Sequence, residues 1–230
     1  MGAVFARGGS KGLPGKNLKL INNISLVGKA IEDLKKIARI GSIYLSSDDD
    51  LIMEEGKIYG AIVPFKRPTE LATDKSPEIH SWKHLLNYLE YEKGETYHYI
   101  VSIPPTAPLR DFSDIDRIID RALETDADMV VSVVRSSKNP YFDMVRLDED
   151  SNIIPIATDL AIFNRRQAAP KTYDIVPVAY VAKTEYILSV DHFFSGKVIG
   201  LEVEKLTGVD IDTEEDLLYA TYLAGLKGNR

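Results

Sequence analysis

The sequence predicts an α/β fold with a mostly parallel central sheet. Three observations carry that reading. Short apolar runs alternate with amphipathic stretches through residues 1–64, in the order β-α-β-α-β. The first run, Ala3-Val4-Phe5, opens into a long loop rich in glycine and cations instead of passing straight into a helix. From Arg135 to Lys183 the alternation stops, and two short extended runs flank Asp148–Asn152, the pattern of an inserted hairpin.

Composition narrows the class. The 230 residues, 44% of them hydrophobic, suit one domain over 1–230 with a sizeable core. No apolar run is long enough to span a bilayer and no signal-peptide pattern is present, so the expected setting is the cytoplasm with no membrane partner. The absence of cysteine excludes disulfides and thiolate metal sites and is compatible with a reducing compartment. A formal net charge of -7 argues against general nucleic-acid binding and makes any local cationic cluster conspicuous.

The elements follow in order. Ser25 is placed to cap a helix from Leu26 to about Ala38, with Leu26, Val27, Ala30, Ile31, Leu34, Ile37 and Ala38 on one face. Ile43–Ser46 reads as a second strand ending in Ser47-Asp48-Asp49-Asp50. A short helix from Leu51 to Tyr59 leads to a third strand at Ala61 to Pro64. Arg67–Asp74 has neither helical nor strand period. A helix from about Glu78 to Leu89 buries Ile79, Trp82, Leu85, Leu86 and Leu89; Tyr99–Ser102 is a fourth strand, Asp114 to Glu124 a helix, and Met129 to Val134 a buried strand. Phe142–Arg146 and Ile153–Ile156 form the hairpin, Tyr173 to Val181 is extended, and Val209–Leu217 opens a last helix running to about Gly225. Parallel sheets bind ligands beyond the carboxyl ends of their strands, where the first loop and the Ser46–Asp50 cluster both fall.

That first loop is Ala6-Arg7-Gly8-Gly9-Ser10-Lys11-Gly12-Leu13-Pro14-Gly15-Lys16-Asn17. Glycines allow backbone N–H groups to approach an oxyanion closely, and consecutive amides make an anion nest. Arg7, Lys11 and Lys16 add charge and fork-shaped donors. The loop therefore reads as a polyphosphate cradle, against the alternative of a solvated glycine-rich turn. It is not a Walker A loop, which needs Gly at position 10 and Ser or Thr at position 17, where Ser10 and Asn17 stand. The spacing G-x-G-x-x-G is absent, and Pro14 disfavours an immediate strand-to-helix turn.

Asp210-x-Asp212 is the second informative pattern. Two carboxylates one residue apart on an extended segment point to the same side and suit Mg²⁺, which keeps several waters and shares phosphate oxygens. Taken alone they equally suit the cap of the final helix, with Asp212 or Thr213 as N-cap.

Arg7–Asn17 resembles the signature loop of the N-acylneuraminate (sialic acid) cytidylyltransferases, relatives of the Kdo cytidylyltransferases. Three further segments agree in order. Arg67-Pro68-Thr69-Glu70-Leu71-Ala72-Thr73-Asp74 is similar to that family's R-P-x-E-L-A-x-D. Pro104–Arg110 is similar to L-Q-P-T-S-P-L-R, and Asp210-Ile211-Asp212-Thr213 with Asp216-Leu217 to D-I-D-T-x-x-D-L. The likeness covers nearly the whole chain. It implies a Rossmann-like nucleotidyltransferase fold, an inserted region at about 140–182 that serves dimerisation and part of the sugar site, and a homodimer.

The same resemblance implies Mg²⁺-dependent transfer of CMP from CTP to a 3-deoxy-2-keto sugar acid, with release of pyrophosphate. Ala6, Arg7, Gly8, Gly9, Ser10, Lys11, Asn17 and Arg67 would bind the nucleotide. Arg7, Lys11 and Asp212 would be catalytic, with Lys11 stabilising charge on the α-phosphate, and Asp210 and Asp212 would hold the metal. Thr106, Arg166, Gln167 and Asp174 would bind the acceptor, Arg166 gripping its carboxylate. Departures cluster there: Pro104 replaces the usual Gln, Asp174 stands where a cation is common, and Val176 and Pro177 replace Asn and Gly. They leave open a different acceptor or nucleotide, or a domain that binds nucleotide without catalysis. No residue reads as a dedicated general base.

Remaining features take plainer readings. His80 and His84 are spaced i, i+4 but lack the Glu of H-E-x-x-H, since Ser81 stands there. Asp48–Asp50 suits a helix N-cap and a turn. The twelve tyrosines are scattered and form no stacking platform.

Overall fold

The computed structural model describes residues 1–157 and 169–228. Strand β1 (Gly2–Phe5) leads through a 3₁₀ turn at Lys16–Leu18 to a small hairpin, β2 (Leu20–Ile21) and β3 (Ile24–Ser25), then to α1 (Leu26–Lys35) and β4 (Ile43–Ser46). Next come α2 (Asp50–Ile58), a 3₁₀ turn at Thr69–Leu71, α3 (Glu78–Lys93), β5 (Tyr99–Ser102), α4 (Phe112–Glu124) and β6 (Met129–Arg135). A separate hairpin, β7 (Val145–Leu147) and β8 (Ile153–Pro155), precedes β9 (Tyr173–Lys183), α5 (Thr184–Ser189), β10 (Val198–Glu202) and α6 (Glu214–Gly228).

The main sheet has six strands in the order β10-β6-β9-β5-β1-β4. All its pairings are parallel except those of β9, which runs antiparallel to both β5 and β6. Alternate residues of each strand face opposite layers. Val4, Leu45, Val101 and Val130 pack with α1, α2 and α4, while Ala3, Tyr44, Ile100 and Val131 pack with α3 and α5. A third apolar cluster lies at one end and joins Leu13 of the first loop to Ile211, Leu217 and Ala220 near the C-terminus.

Local chemistry accounts for most element ends. The Ser25 hydroxyl accepts from the Gly28 amide at 3.0 Å, the expected N-cap of α1. Asn22 and Asn23 both have positive φ, 53° and 63°, as a two-residue hairpin turn requires, and this makes the small hairpin that periodicity did not suggest. Asp148 accepts from the amides of Asp150 and Asn152 and so closes the β7–β8 turn at the expected place.

The expected third strand needs correction. Ala61–Pro64 is not a strand; Ile62 makes an isolated parallel bridge to Tyr44 of β4, and Lys66 makes another to Ser47 just past its end. Pro64 has no amide to donate, which stops a continuous ladder there. The last helix begins at Glu214 with Thr213, one of the two expected N-caps, capping it, and Asp216 reaches back to the amides of Asp212 and Thr213. The edge strand β10 gave no clear alternation and was not expected; it pairs with β6 over Val198–Glu202.

Between Val131 and Val133 the pairing of β6 with β9 slips, and residues 176–179 bulge out. The Ser132 hydroxyl stitches this bulge by bonding the carbonyls of Val176 and Ala179 and the amide of Ala179. Arg110 supports it from below, donating to the carbonyls of Val178, Pro177 and Pro104. The Arg110 side chain is fully buried, and its counter-ion is the equally buried Asp33 at 3.6 Å. Burial lowers the Arg110 pKa to about 10, with Asp33 opposing the shift. Asp33→Ala would leave this guanidinium without a counter-charge beside Lys29. The expected cost is about 3–5 kcal/mol, read as a lower urea midpoint with an unchanged slope.

Candidate active site

The carboxyl ends of β1, β4 and β5 open onto one cleft of about 300 Å³. Its walls include Arg7, Ser10, Lys16 and Asn17 from the first loop, Arg67, Thr73, Asp74 and Ser76 from the segment before α3, Glu78 and Ser81 from α3, and Pro104, Pro105 and Thr106 after β5. Three segments far apart in sequence thus meet where a parallel sheet places ligands.

The first loop is held from two sides. On one side the Gly8 amide donates to Asp48 Oδ1 at 3.1 Å, and a Cβ on Gly8 would lie 2.7 Å from Asp49 Oδ2. The acidic turn after β4 therefore seats the loop, while Asp49 also caps α2 through the amides of Leu51 and Ile52. On the other side a Cβ on Gly12 would lie 2.5 Å from the Asp212 carbonyl oxygen, and Lys16 Nζ pairs with Asp212 Oδ1 at 2.9 Å. Leu13, buried against Ile211 and Leu217, anchors the same contact. Glycine at 8 and 12 thus serves close packing as well as ligand approach. The Gly8 amide, expected to face an oxyanion, is committed to Asp48.

Asn17 is buried and donates from Nδ2 to the Arg7 carbonyl at 2.9 Å, fixing the backbone of the arginine it accompanies. Ala6 is buried at the loop's start, its amide on the Ser46 carbonyl, and Gly9 is exposed at the tip. Arg67 is buried. Its amide bonds the Ser47 carbonyl at 2.7 Å and its Nη1 donates to Ser81 Oγ at 3.0 Å. Its Nε and Nη2 have no hydrogen-bond partner, and burial lowers its pKa against the pull of Asp48.

The D-x-D carboxylates are free of capping duty, which Thr213 and Asp216 perform. Thr106 holds this segment: its carbonyl accepts the Ile211 amide at 2.9 Å and its hydroxyl reaches the Asp210 carboxylate. Burial raises the Asp210 pKa, with Thr106 opposing. Among the described residues no cluster of three or more His, Asp or Glu is placed to hold a metal. His84 packs edge-on against Phe65 at 4.4 Å.

Arg7, Ser10, Asn17, Arg67 and Thr106 line this cleft, and Lys11, Asp212 and Asp210 are tied to its lining residues Asp74, Lys16 and Thr106. Asp174 is not among its lining residues; it is exposed on β9, opposite Val134. Arg166 and Gln167 lie outside the described residues.

A model of the cytidylyltransferase family matches residues 1–217. The chain belongs to this family. It is 32% identical over 225 residues to the CMP-N,N'-diacetyllegionaminic acid synthase of Campylobacter jejuni, covering 97% of this chain and 94% of that one. It is 30% identical over 222 residues to post-translational flagellin modification protein B of Campylobacter coli, covering 96% and 92%. The N-acylneuraminate cytidylyltransferase of Escherichia coli is 29% identical over 92% of this chain and 48% of its own. A solved CMP-2-keto-3-deoxy-manno-octonic acid synthetase complexed with CTP superposes with a TM-score of 0.73 over 98% of both chains at 13% identity, which establishes the shared fold. Another, 4-diphosphocytidyl-2C-methyl-D-erythritol synthase from Anaerococcus prevotii, gives 0.65 at 14% identity over 97% and 95%.

The enzyme's cradle holds one feature that sequence reasoning passed over. Asp74 bridges the two cations, with Oδ1 2.7 Å from Arg7 Nη1 and Oδ2 2.5 Å from Lys11 Nζ. Lys11, then Arg7, hold its carboxyl below the ordinary range. An internal carboxylate thus sits where an external polyanion needs the same two donors. The seven-residue step from Arg67 to Asp74, within an otherwise patternless loop, was the available signal. Asp74→Asn is expected to tighten pyrophosphate binding at least threefold at low salt, measured by calorimetry, with the difference shrinking as salt is raised.

Proposed function

We propose that the enzyme transfers CMP from CTP to a 3-deoxy-2-keto sugar acid of the nonulosonic class, releasing pyrophosphate and supplying an activated sugar for glycan assembly. The observation that carries this reading is the clamp between the cationic loop and Asp210–Asp212. It sets phosphate donors and metal-type oxygen ligands against one another in a single cleft. The names of the Campylobacter and Escherichia coli relatives support the acceptor class.

In the proposed reaction the sugar-acid hydroxyl attacks the α-phosphorus of CTP, and the bond to the β-phosphate bridging oxygen breaks. Such transfers depend mostly on positioning and charge neutralisation. Arg7, Ser10 and Lys11 hold the triphosphate, with Lys11 stabilising charge at the α-phosphate after Asp74 has yielded. Asn17 and Arg67 lie toward the cytidine. Asp210 and Asp212 fit Mg²⁺ because they are hard oxygens released from capping, and the ion when bound neutralises phosphate charge and favours ionisation of the attacking hydroxyl. Thr106, Arg166, Gln167 and Asp174 are assigned to the acceptor. The reading assigns the enzyme to the cytoplasm, with CTP and the sugar acid and no nucleic acid as its partners.

The test is pyrophosphate release with Mg²⁺, crossing CTP, UTP, ATP and GTP with sialic, deaminated sialic, legionaminic, pseudaminic and Kdo acids. Turnover is expected with CTP and one nonulosonic acid. CTP binding without turnover on any acid would instead favour an acceptor outside the panel or a non-catalytic homologue. With the working acid in hand, Lys11→Ala should lower turnover by about 10²–10³. A near-normal rate in Lys11→Ala or Asp212→Ala would overturn the mechanism.

The region at about 140–182 is assigned to a homodimer contact. Val145, Leu147 and Ile153 on the β7–β8 hairpin are 46%, 63% and 69% exposed, apolar surface that a second copy would cover. Sedimentation should give a dimer, and Leu147→Asp with Ile153→Asp should give a monomer with an unchanged far-UV spectrum.

A further inference from the structure

We infer that the cavity between the small hairpin and the last helix is a binding site, separate from the cleft, for a small organic anion with an apolar body. The inference does not depend on the cytidylyl-transfer reading above.

The cavity holds about 360 Å³ and lies between the β2–β3 hairpin, α1, the segment after β5 and α6. It shares no lining residue with the cleft. Its size falls in the range of about 300–1,000 Å³ usual for small-molecule sites. Ile21, Ile24, Leu109 and Ala224 give it an apolar wall, and Lys29 and Arg110 also line it. The Lys29 side chain is 28% exposed, so a ligand can reach it, whereas that of Arg110 is fully buried.

The charges around Lys29 select the ligand. Lys29 Nζ bonds Asp33 Oδ1 at 2.5 Å, but Lys36 Nζ takes the same oxygen at 3.2 Å, and Arg110 Nη1 lies 3.6 Å from Oδ2. One buried carboxylate thus serves three cations. Arg110 Nη1 and Asp33 Oδ2 are also buried without a hydrogen-bond partner. Burial lowers the Lys29 pKa; Asp33 opposes the shift, and Arg110 and Lys36 add to it. A second anion beside Lys29 relieves that repulsion, and a contact of this kind is stronger where water is partly excluded. The apolar wall takes the rest of the ligand by burying a ring or chain. A polyphosphate or a polyhydroxylated sugar acid finds no match on that wall, which separates this ligand from those of the cleft.

The probe is 2-naphthoate, with 2-naphthamide as its uncharged counterpart. Calorimetry on the parent protein should show one naphthoate bound per chain with a Kd of about 1 mM or below. Naphthamide should bind at least fivefold more weakly, and saturating CTP should leave the naphthoate in place. Equal affinity for the two probes, or no saturable naphthoate binding, overturns the inference. So does loss of naphthoate binding when CTP is added, which would put the probe in the cleft. Lys29→Met keeps the apolar stem and removes the charge. It should weaken naphthoate at least fivefold and leave naphthamide unchanged, with an unaltered far-UV spectrum. Unchanged naphthoate affinity in the folded variant overturns the inference, because the probe would then sit elsewhere on the surface. If Lys29→Met does not fold, the comparison of the two probes in the parent protein still decides.

Discussion

The site depends on one buried guanidinium. Arg110 carries its charge inside the protein, where burial is unfavourable unless the charge is paired and its donors are occupied. Asp33 supplies the counter-charge from α1, 3.6 Å from Nη1, which has no hydrogen bond of its own, and three carbonyls accept from Nε and Nη2, one from the segment after β5 and two from the β9 bulge. Those partners belong to three separate parts of the chain, so satisfying Arg110 requires them to meet. The consequence runs outward: Pro104 is tied down, Thr106 two residues on holds Ile211 and Asp210, and Asp212 in turn receives Lys16 and the Gly12 backbone. A core ion pair thereby sets the position of a surface loop.

The cleft that results is electrostatically divided. Its cationic wall comes from the first loop, and Asp74 keeps Arg7 and Lys11 together as a pair. Its other side is formed by Arg67, in the segment before α3, and by Glu78 and Ser81 on α3, with Ser81 Oγ accepting from Arg67 Nη1. In a chain of net charge -7 this local arrangement, not the overall field, selects the ligand.

Much of this was readable in the sequence because it is local. Ser25 capped the helix it was expected to cap, Ile43–Ser46 and Tyr99–Ser102 kept their expected bounds, and the glycine loop lay at the end of the first strand. The start of the last helix was legible too, with Thr213 capping it as one of the two expected residues. What the sequence hid was long-range. Nothing in Tyr173–Lys183 says that it runs antiparallel between β5 and β6, since strand neighbours are set by packing and not by periodicity. The roles of Asp74 and Ser81 depend on contacts across the cleft, and a charge in a polar loop looks the same whether it faces water or another side chain.

The substitutions around the acceptor region take a different meaning in three dimensions. Pro104 and Pro177 offer their carbonyls to Arg110, and Val176 offers its own to Ser132. The Val176 side chain is buried with Val134, Val178 and Val203, and a Cβ on Gly208 would meet it at 3.0 Å. These positions therefore act through backbone oxygens and apolar packing. Proline suits such a place because it removes an amide that would otherwise need a partner inside the bulge. Loss of the polar side chains usual at these positions is thus balanced within the fold itself, and it leaves the phosphate cradle, Thr106 and the D-x-D segment untouched. On the proposed reading, the departures bear on the shape offered to the acceptor and not on the chemistry of the transfer.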